Sequence, residues 1–369
     1  MNNTNDTKRA CMDTRGYTFL MINTLISLPI FLSPSPTVAV SRQYAWLSVL
    51  VGTAQALMVG YVVIKLGLTY PDKTIIEYSQ DIVGKFAGKI VGLIFLAVFL
   101  SISVMALREF TLPFQGFVSI NIPLPTLLIM TMLLVTYAVI RGLKTISICS
   151  DVIIQFFIGF ILILLILPTK NLNILNIKPI IPHDWGRVVR GSFDSAAFLA
   201  EDVIGLMLIP YVSNKDKLMK GNQLAVLLSG IALSAVTAME IVTMSYERVD
   251  STIFSTFMLL REAQFSSSLE RIESIAIAMW GGLVFVKLSV YLYILADGLR
   301  QLLGLKDYKP IVYILAPIIT YLAVLPRDIS EILVFPNKVW VPIIYLAVLI
   351  ILPVILLLIS TIRKQGEKK

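Results

Sequence analysis

Residues 274–296 read SIAIAMWGGLVFVKLSVYLYILA, an apolar run with a single charge, Lys287, at its middle. A bilayer core about 30 Å thick takes about 20 helical residues, so the run is long enough to cross it. A lysine at the centre of such a helix costs about 3 kcal/mol on insertion scales. No acidic residue lies within one turn of Lys287. A buried ammonium of this kind persists where it faces a bundle interior or a wet cavity and meets a partner from elsewhere in the chain. Lys287 therefore marks a candidate functional site.

Outward from this run the same pattern repeats. The chain has 369 residues, of which 57% are hydrophobic and 15% charged, and its mean hydropathy is +0.84. An ordinary soluble domain carries about 25% charged residues. Ten spans are expected, at 17–40, 44–68, 90–107, 124–140, 146–168, 192–212, 224–246, 274–296, 308–326 and 340–362. They define an all-α polytopic membrane protein with one transmembrane unit over 17–362 between polar tails at 1–16 and 363–369. A first repeat lies at about 17–168, a second at about 187–326, and the last span is 340–362. The polar N-terminus argues against a cleavable signal peptide, leaving the first span to direct insertion. With both termini on one side, nineteen of the 31 Lys and Arg residues fall on that side and eleven on the other, Lys287 lying between. The positive-inside bias makes both termini cytoplasmic. The net charge of +8 then reflects contact with anionic membrane lipids rather than nucleic acid, because the basic residues are scattered over short loops.

Two spans are interrupted. The first reads Met21-Ile22-Asn23-Thr24-Leu25-Ile26-Ser27-Leu28-Pro29, and Pro29 cannot donate to the carbonyl of Leu25. The sixth reads Ser195-Ala196-Ala197-Phe198-Leu199-Ala200-Glu201-Asp202-Val203-Ile204-Gly205, with two adjacent acids at membrane depth and a helix-weakening glycine after them. If the ten spans form two halves of five, these occupy equivalent places, the sequence pattern of a transporter-type binding site. Asn23, Thr24, Ser27, Ala197, Phe198, Glu201, Asp202 and Gly205 are the expected ligand-binding positions. A ligand carboxylate would meet the backbone amides of a half-helix, and a ligand ammonium would meet free carbonyls or Glu201. Read separately, Pro29 is an ordinary proline kink. The coincidence of two interruptions with an intramembrane lysine favours a site.

The stretch Ser268-Leu269-Glu270-Arg271-Ile272-Glu273-Ser274, then Trp280, Val286-Lys287-Leu288-Ser289, and Leu299-Arg300-Gln301-Leu302-Leu303-Gly304-Leu305-Lys306-Asp307-Tyr308-Lys309-Pro310 resembles the B-subunit family of bacterial spore-germination receptors. Ala45-Trp46-Leu47-Ser48, Leu107-Arg108-Glu109-Phe110, Tyr137-Ala138-Val139 and Arg141-Gly142-Leu143 agree with it, and the likeness runs over about 17–362. The resemblance implies a five-plus-five inverted repeat with interrupted helices one and six, similar to amino acid–polyamine–organocation transporters. It implies a subunit of a nutrient receptor in the inner spore membrane, working with A-type and C-type (lipoprotein) subunits and sensing a small nutrient of the amino-acid class. In sodium-coupled carriers of that fold, span eight helps hold a cation against the break in span one. Lys287 is expected to stand in for it, bonding the carbonyls of Asn23 to Leu25, with Glu201 or Asp202 as the alternative partner. The chain departs from the family where glycine is usual near the first break, since residues 17–51 contain none. It also departs in Leu199-Ala200-Glu201, where only the acid matches, and at Lys144 and Ile148. These departures bear on which nutrient is bound, not on the fold.

Trp280 and Tyr291 share the helix face of Lys287 and are secondary candidates for lining a cavity, with aromatic packing between helices as the plainer reading. Glu240, within the seventh span, is a third secondary candidate, expected to pair with an arginine of an outer loop or to meet another subunit. Arg108 and Glu109 are expected to pair with each other at the outer end of span three. Residues 248–269 are read as an outer lid or a partner contact. His183 is a loop histidine, and Cys11 and Cys149 are free thiols. No cofactor or metal site is expected from one histidine and two distant cysteines. The motifs of zinc proteases, serine hydrolases and phosphate-binding loops are missing from the sequence, so no enzymatic activity is expected. Two other functions use the same pocket or its remnant: a proton-coupled amino-acid permease, and a channel or scaffold subunit with an empty carrier site.

Overall fold

The computed structural model describes residues 10–117, 122–166, 172–262, 272–326 and 336–366. Among these the chain is helical throughout, with one isolated backbone bridge, Met12 to Val212. Among the described residues, eight helices are long and apolar enough to cross a membrane. The expected sixth span is broken into short pieces, and the expected ninth is a helix of 16 residues, α15 (Lys309–Val324), so helix length by itself yields eight of the ten expected spans.

The first span is broken twice. α1 (Thr14–Ile26) ends at Ser27, α2 (Pro29–Leu32) restarts one residue after Leu28, and α3 (Pro34–Ser41) restarts again after Ser33. Pro29 and Pro34 each begin a new helix, the position where a missing N–H costs nothing. The second break was not anticipated, although Pro34 and Pro36 in sequence carry it. In the sixth span, α9 (Trp185–Leu199) tightens into a 3-10 turn at Ala200–Ile204 before α10 (Gly205–Leu208). Glu201 and Asp202 both lie in that turn.

The remaining helices frame these two broken segments. α4 (Ala45–Thr69) packs on α9 and on α11 (Leu218–Met244). α5 (Ile75–Val83) packs on α6 (Lys85–Phe117), and α6, α7 (Leu124–Arg141) and α8 (Leu143–Ile166) surround α14 (Ile272–Leu303). α1 lies between the two groups, touching α8, α11, α14 and the 3-10 turn. Small residues allow the closest approaches, as is usual for helices in lipid. A Cβ on Gly52 of α4 would stand 2.6 Å from the Ser192 carbonyl oxygen of α9, so backbone packs on side-chain-free backbone there. Two short helices, α12 (Tyr246–Asp250) and α13 (Ser255–Glu262), follow α11 and fold back over α2 and α3. After α15, a π-helical segment (Pro336–Ile351) leads into α16 (Leu352–Gly366).

At the opposite end from α13, the segment before α1 is strapped to the end of the broken sixth span. Cys11 N–H donates to the Tyr211 carbonyl at 2.9 Å, and Ser213 N–H donates to the Met12 carbonyl at 2.9 Å. The Tyr211 hydroxyl in turn donates to Asp297 Oδ2 at 2.6 Å, an acid also held by Arg300 and Gln301. Burial of the Cys11 thiol, opposed by the nearby Lys144, pushes its pKa up to about 11. It is therefore a poor nucleophile at neutral pH, consistent with the free-thiol reading.

Candidate functional site

The site lies where the two interruptions meet α14. Asn23, Thr24, Ser27, Asp202 and Lys287 have no exposed surface, and Glu201 has 2%. Lys287 Nζ stands 2.8 Å from Glu201 Oε2, an ion pair whose side chains are 1% and 3% exposed. The ammonium approaches off the line of a hydrogen bond, so the attraction is mainly coulombic. The Tyr291 hydroxyl, one turn along α14, donates to the same Glu201 oxygen at 2.8 Å, and the Tyr291 ring lies 5.9 Å from the ammonium. The 3-10 turn makes this possible: by tightening the backbone it presents Glu201 to α14 while Asp202, next in sequence, faces elsewhere.

Asp202 belongs to a different set. Asn222 Nδ2 donates to Asp202 Oδ2 at 3.2 Å, and the Tyr17 hydroxyl donates to Asn222 Oδ1 at 2.8 Å. α4 presses on this set at Gly60, where a Cβ would stand 2.3 Å from Asp202 Oδ2 and 2.9 Å from Asn222 Nδ2. Gly205 likewise makes room for Tyr17, whose hydroxyl would be 2.7 Å from its Cβ. Overpacking of this kind typically costs about 1–3 kcal/mol. Gly60→Val should therefore lower thermal stability of the purified protein by that amount, while Gly159→Ala, with open space around its Cβ, leaves it nearly unchanged.

The break in span one is satisfied by its neighbours. Ser27 Oγ donates to the Thr24 carbonyl at 3.1 Å and Thr24 Oγ1 to the Leu20 carbonyl at 2.8 Å. The indole N–H of Trp280 donates to the Ser27 carbonyl. Lys287 thus sits on Glu201, the alternative partner, instead of on the span-one carbonyls, and an indole two turns away on α14 reaches the break at the Ser27 carbonyl. Asn23 is the exception: both Asn23 Oδ1 and Nδ2 are buried without a hydrogen-bond partner. Of the expected ligand positions, Ala197 is buried at 1%, and Phe198 is only partly buried on α9.

Trp280 also centres an aromatic cluster that closes the site on the α13 side. Its ring centroid lies 5.2 Å from Phe31, 5.6 Å from Phe110 and 5.9 Å from Phe257, and Phe31 stacks on Phe257 at 4.6 Å. Trp280 therefore both packs between helices and serves the break. α13 is held over this cluster by Thr256, whose Oγ1 lies 2.6 Å from Glu240 Oε1 and 2.8 Å from the Ile30 carbonyl. The hydroxyl has one proton and serves one acceptor at a time. Glu240 consequently meets a threonine of the segment after its own helix, not the expected arginine, because α13 folds back onto the end of α11. The expected Arg108–Glu109 pair is also corrected. The Arg108 guanidinium donates to the Pro326 carbonyl at 3.2 Å, and no ion pair joins it to Glu109 among the described residues. Adjacent helical residues point about 100° apart, and Glu109 turns to the interior.

The fold and site together define a helical membrane protein of the transporter type, with two interrupted helices meeting at a buried polar centre. Solved transporter structures are similar to it in fold. MhsT in complex with L-phenylalanine has a TM-score of 0.71 at 14% identity, covering 96% of this chain and 99% of that one. A sodium-coupled sialic acid symporter has 0.62 at 11% identity, covering 90% and 79%. The nucleobase–cation symporter Mhp1 has 0.60 at 10% identity, covering 91% and 77%. The model of the spore germination protein family (Spore_permease) matches residues 12–332, and the chain belongs to that family. Among its relatives, spore germination protein YndE of Bacillus subtilis (strain 168) is 24% identical, covering 96% of this chain and 98% of that protein. Spore germination protein KB of the same organism is 22% identical, covering 88% of each.

Proposed function

We propose that this chain is the membrane subunit of a spore nutrient-germinant receptor. In this reading a small nutrient of the amino-acid class binds at the junction of the two broken helices, and the resulting rearrangement passes to A-type and C-type (lipoprotein) partner subunits. The protein would sit in the inner spore membrane with both termini cytoplasmic, and it would carry out no catalytic step. The observation that carries the reading is the buried Lys287–Glu201 pair. It joins α14 to the interruption of span six, beside a span-one break where the Asn23 amide has no partner. A charged pair at this depth is costly unless it has a role, and interrupted helices at this place are where transporter-type proteins hold ligands. An integral pair of opposite charges also makes a sodium ion unnecessary at this point.

The test is the nutrient dose response of spores carrying Ser27→Phe or Ala197→Leu. Both positions are buried at the two interruptions, Ser27 at 0% and Ala197 at 1%, so added bulk there would intrude on the proposed site. The expected outcome is a half-maximal nutrient concentration raised at least about tenfold, equivalent to 1.4 kcal/mol, with the subunit present at wild-type level in the membrane. An unchanged dose response in variants that assemble normally would place the nutrient elsewhere.

A second reading is a proton-coupled permease for amino acids, since the fold is one that transporters use. Flux separates the two: uptake of a radiolabelled amino acid by the chain alone in liposomes supports the permease, and binding without uptake supports the receptor.

A further inference from the structure

Glu109 has no role in the account so far, yet its place is unusual. It lies on α6, against the face of α14 that carries the site: Phe110 meets Trp280 at 5.6 Å and Phe99 meets Tyr291 at 6.1 Å. Its exposure is 6%. No hydrogen bond or ion pair reaches its carboxyl group among the described residues, and Arg108 turns away to Pro326. Lys287 lies nearer to Glu201, at 2.8 Å, while no contact within 4 Å joins Lys287 to Glu109.

Glu201 Oε2 already receives both Lys287 and Tyr291. Glu109, on the neighbouring helix, is a buried carboxyl group that no donor or cation of the described residues reaches. A carboxyl group so placed is expensive, more so at membrane depth. A ligand ammonium brought to Glu201 alone would meet Lys287 as a like charge. Brought to Glu109, it would meet a carboxyl group that no cation of the described residues holds.

We propose that Glu109 is the residue that binds the primary ammonium group of the ligand, making the site selective for 2-amino acids over the matching 2-hydroxy acids. This rests on the reading that the nutrient binds at the two helix breaks. Glu201, bound to Lys287, is then a positioning residue that holds the 3-10 turn against α14. The Asn23 amide, with both polar atoms unpartnered, lies on the span-one side of the same centre and supplies a neutral donor and acceptor to the rest of the ligand.

The experiment measures binding to the purified full-length chain in lipid nanodiscs. The probes are alanine, valine, leucine and phenylalanine, each beside the 2-hydroxy acid of the same side chain. An amino acid that binds the wild type is expected to outbind its hydroxy acid by about 30-fold or more. That factor corresponds to about 2 kcal/mol, the lower figure for removing one partner of a buried charge pair. Glu109→Gln should weaken the amino acid by a similar factor and leave the hydroxy acid little changed, and Glu109→Asp should retain the preference. Equal binding of the two acids by the wild type would overturn the proposal, and this arm stands even if Glu109→Gln fails to fold. Undiminished amino-acid binding by a folded Glu109→Gln would overturn it too, while leaving the pocket at the helix breaks intact. Binding of none of the eight compounds would count against the pocket reading itself, and the role of Glu109 would fall with it.

Discussion

Lys287→Ala is expected to produce one of the two largest losses of any single substitution in this protein. It removes the ammonium 2.8 Å from Glu201 Oε2 and leaves a carboxyl group at 2% exposure with only the Tyr291 hydroxyl for company. Breaking a buried pair by deleting one partner typically costs about 3–5 kcal/mol, because the remaining charge is uncompensated. The subunit should therefore be depleted from the membrane or, where it assembles, fail to respond to nutrient. Lys287→Met separates charge from bulk, since it keeps most of the side-chain volume. It should fail nearly as badly as the alanine variant. The double variant Lys287→Met/Glu201→Gln should recover stability, because it removes both charges together and a well-packed neutral pair can replace a buried ion pair at little cost. Membrane abundance and thermal midpoint of the three variants decide the matter. A Lys287→Met protein that assembles and responds normally would show that the ion pair is incidental.

Trp280→Ala is expected to have a comparable effect, for two reasons acting at one residue. The indole is fully buried among Phe31, Phe110 and Phe257, and removing a buried aromatic ring typically costs about 3–5 kcal/mol. Its N–H also takes the Ser27 carbonyl at the span-one break, and a buried carbonyl left unpaired costs about 1–3 kcal/mol more. Trp280→Phe restores most of the packing but not the donor. The alanine variant should lose thermal stability by several degrees more than the phenylalanine variant, and the phenylalanine variant should still fall below the wild type. Equal stability of Trp280→Phe and wild type would mean that the Ser27 carbonyl finds another donor and that Trp280 acts by packing alone.

These two residues show what was legible in the sequence. Lys287 declared itself because a lysine amid apolar residues has few physical explanations, and Glu201 and Asp202 did so for the same reason. The breaks at Pro29 and around Gly205 were readable from backbone chemistry. The pairing was not. Whether Glu201 or Asp202 meets Lys287 depends on the 3-10 turn at Ala200–Ile204, a change in rotation per residue that nothing in Leu199-Ala200-Glu201-Asp202 specifies locally. Asn222, which donates to Asp202, and Tyr17, which donates to Asn222, lie 205 residues apart and look like ordinary span-end polar residues. Glu109 was hidden by its neighbour: an adjacent arginine and glutamate suggest a surface pair, although successive helical residues point in different directions. Trp280 shares a helix face with Lys287 by its spacing, with aromatic packing as the plainer reading, but its service to the Ser27 carbonyl requires the break and α14 to be brought together. The fold of α13 onto Glu240 through Thr256 likewise needs the tertiary structure, since a short apolar segment between spans can lie on the surface or tuck into the bundle.

Most of the account rests on a nutrient binding between the broken helices, and direct binding measures that with the fewest intermediates. The decisive measurement is equilibrium binding of radiolabelled amino acids to the purified chain in nanodiscs, compared between wild type and Ala197→Leu. The account predicts saturable binding by the wild type that Ala197→Leu weakens at least about tenfold, with the folded fraction of the variant unchanged. Saturable binding of equal strength to both proteins would contradict it and move the nutrient site away from the junction of spans one and six.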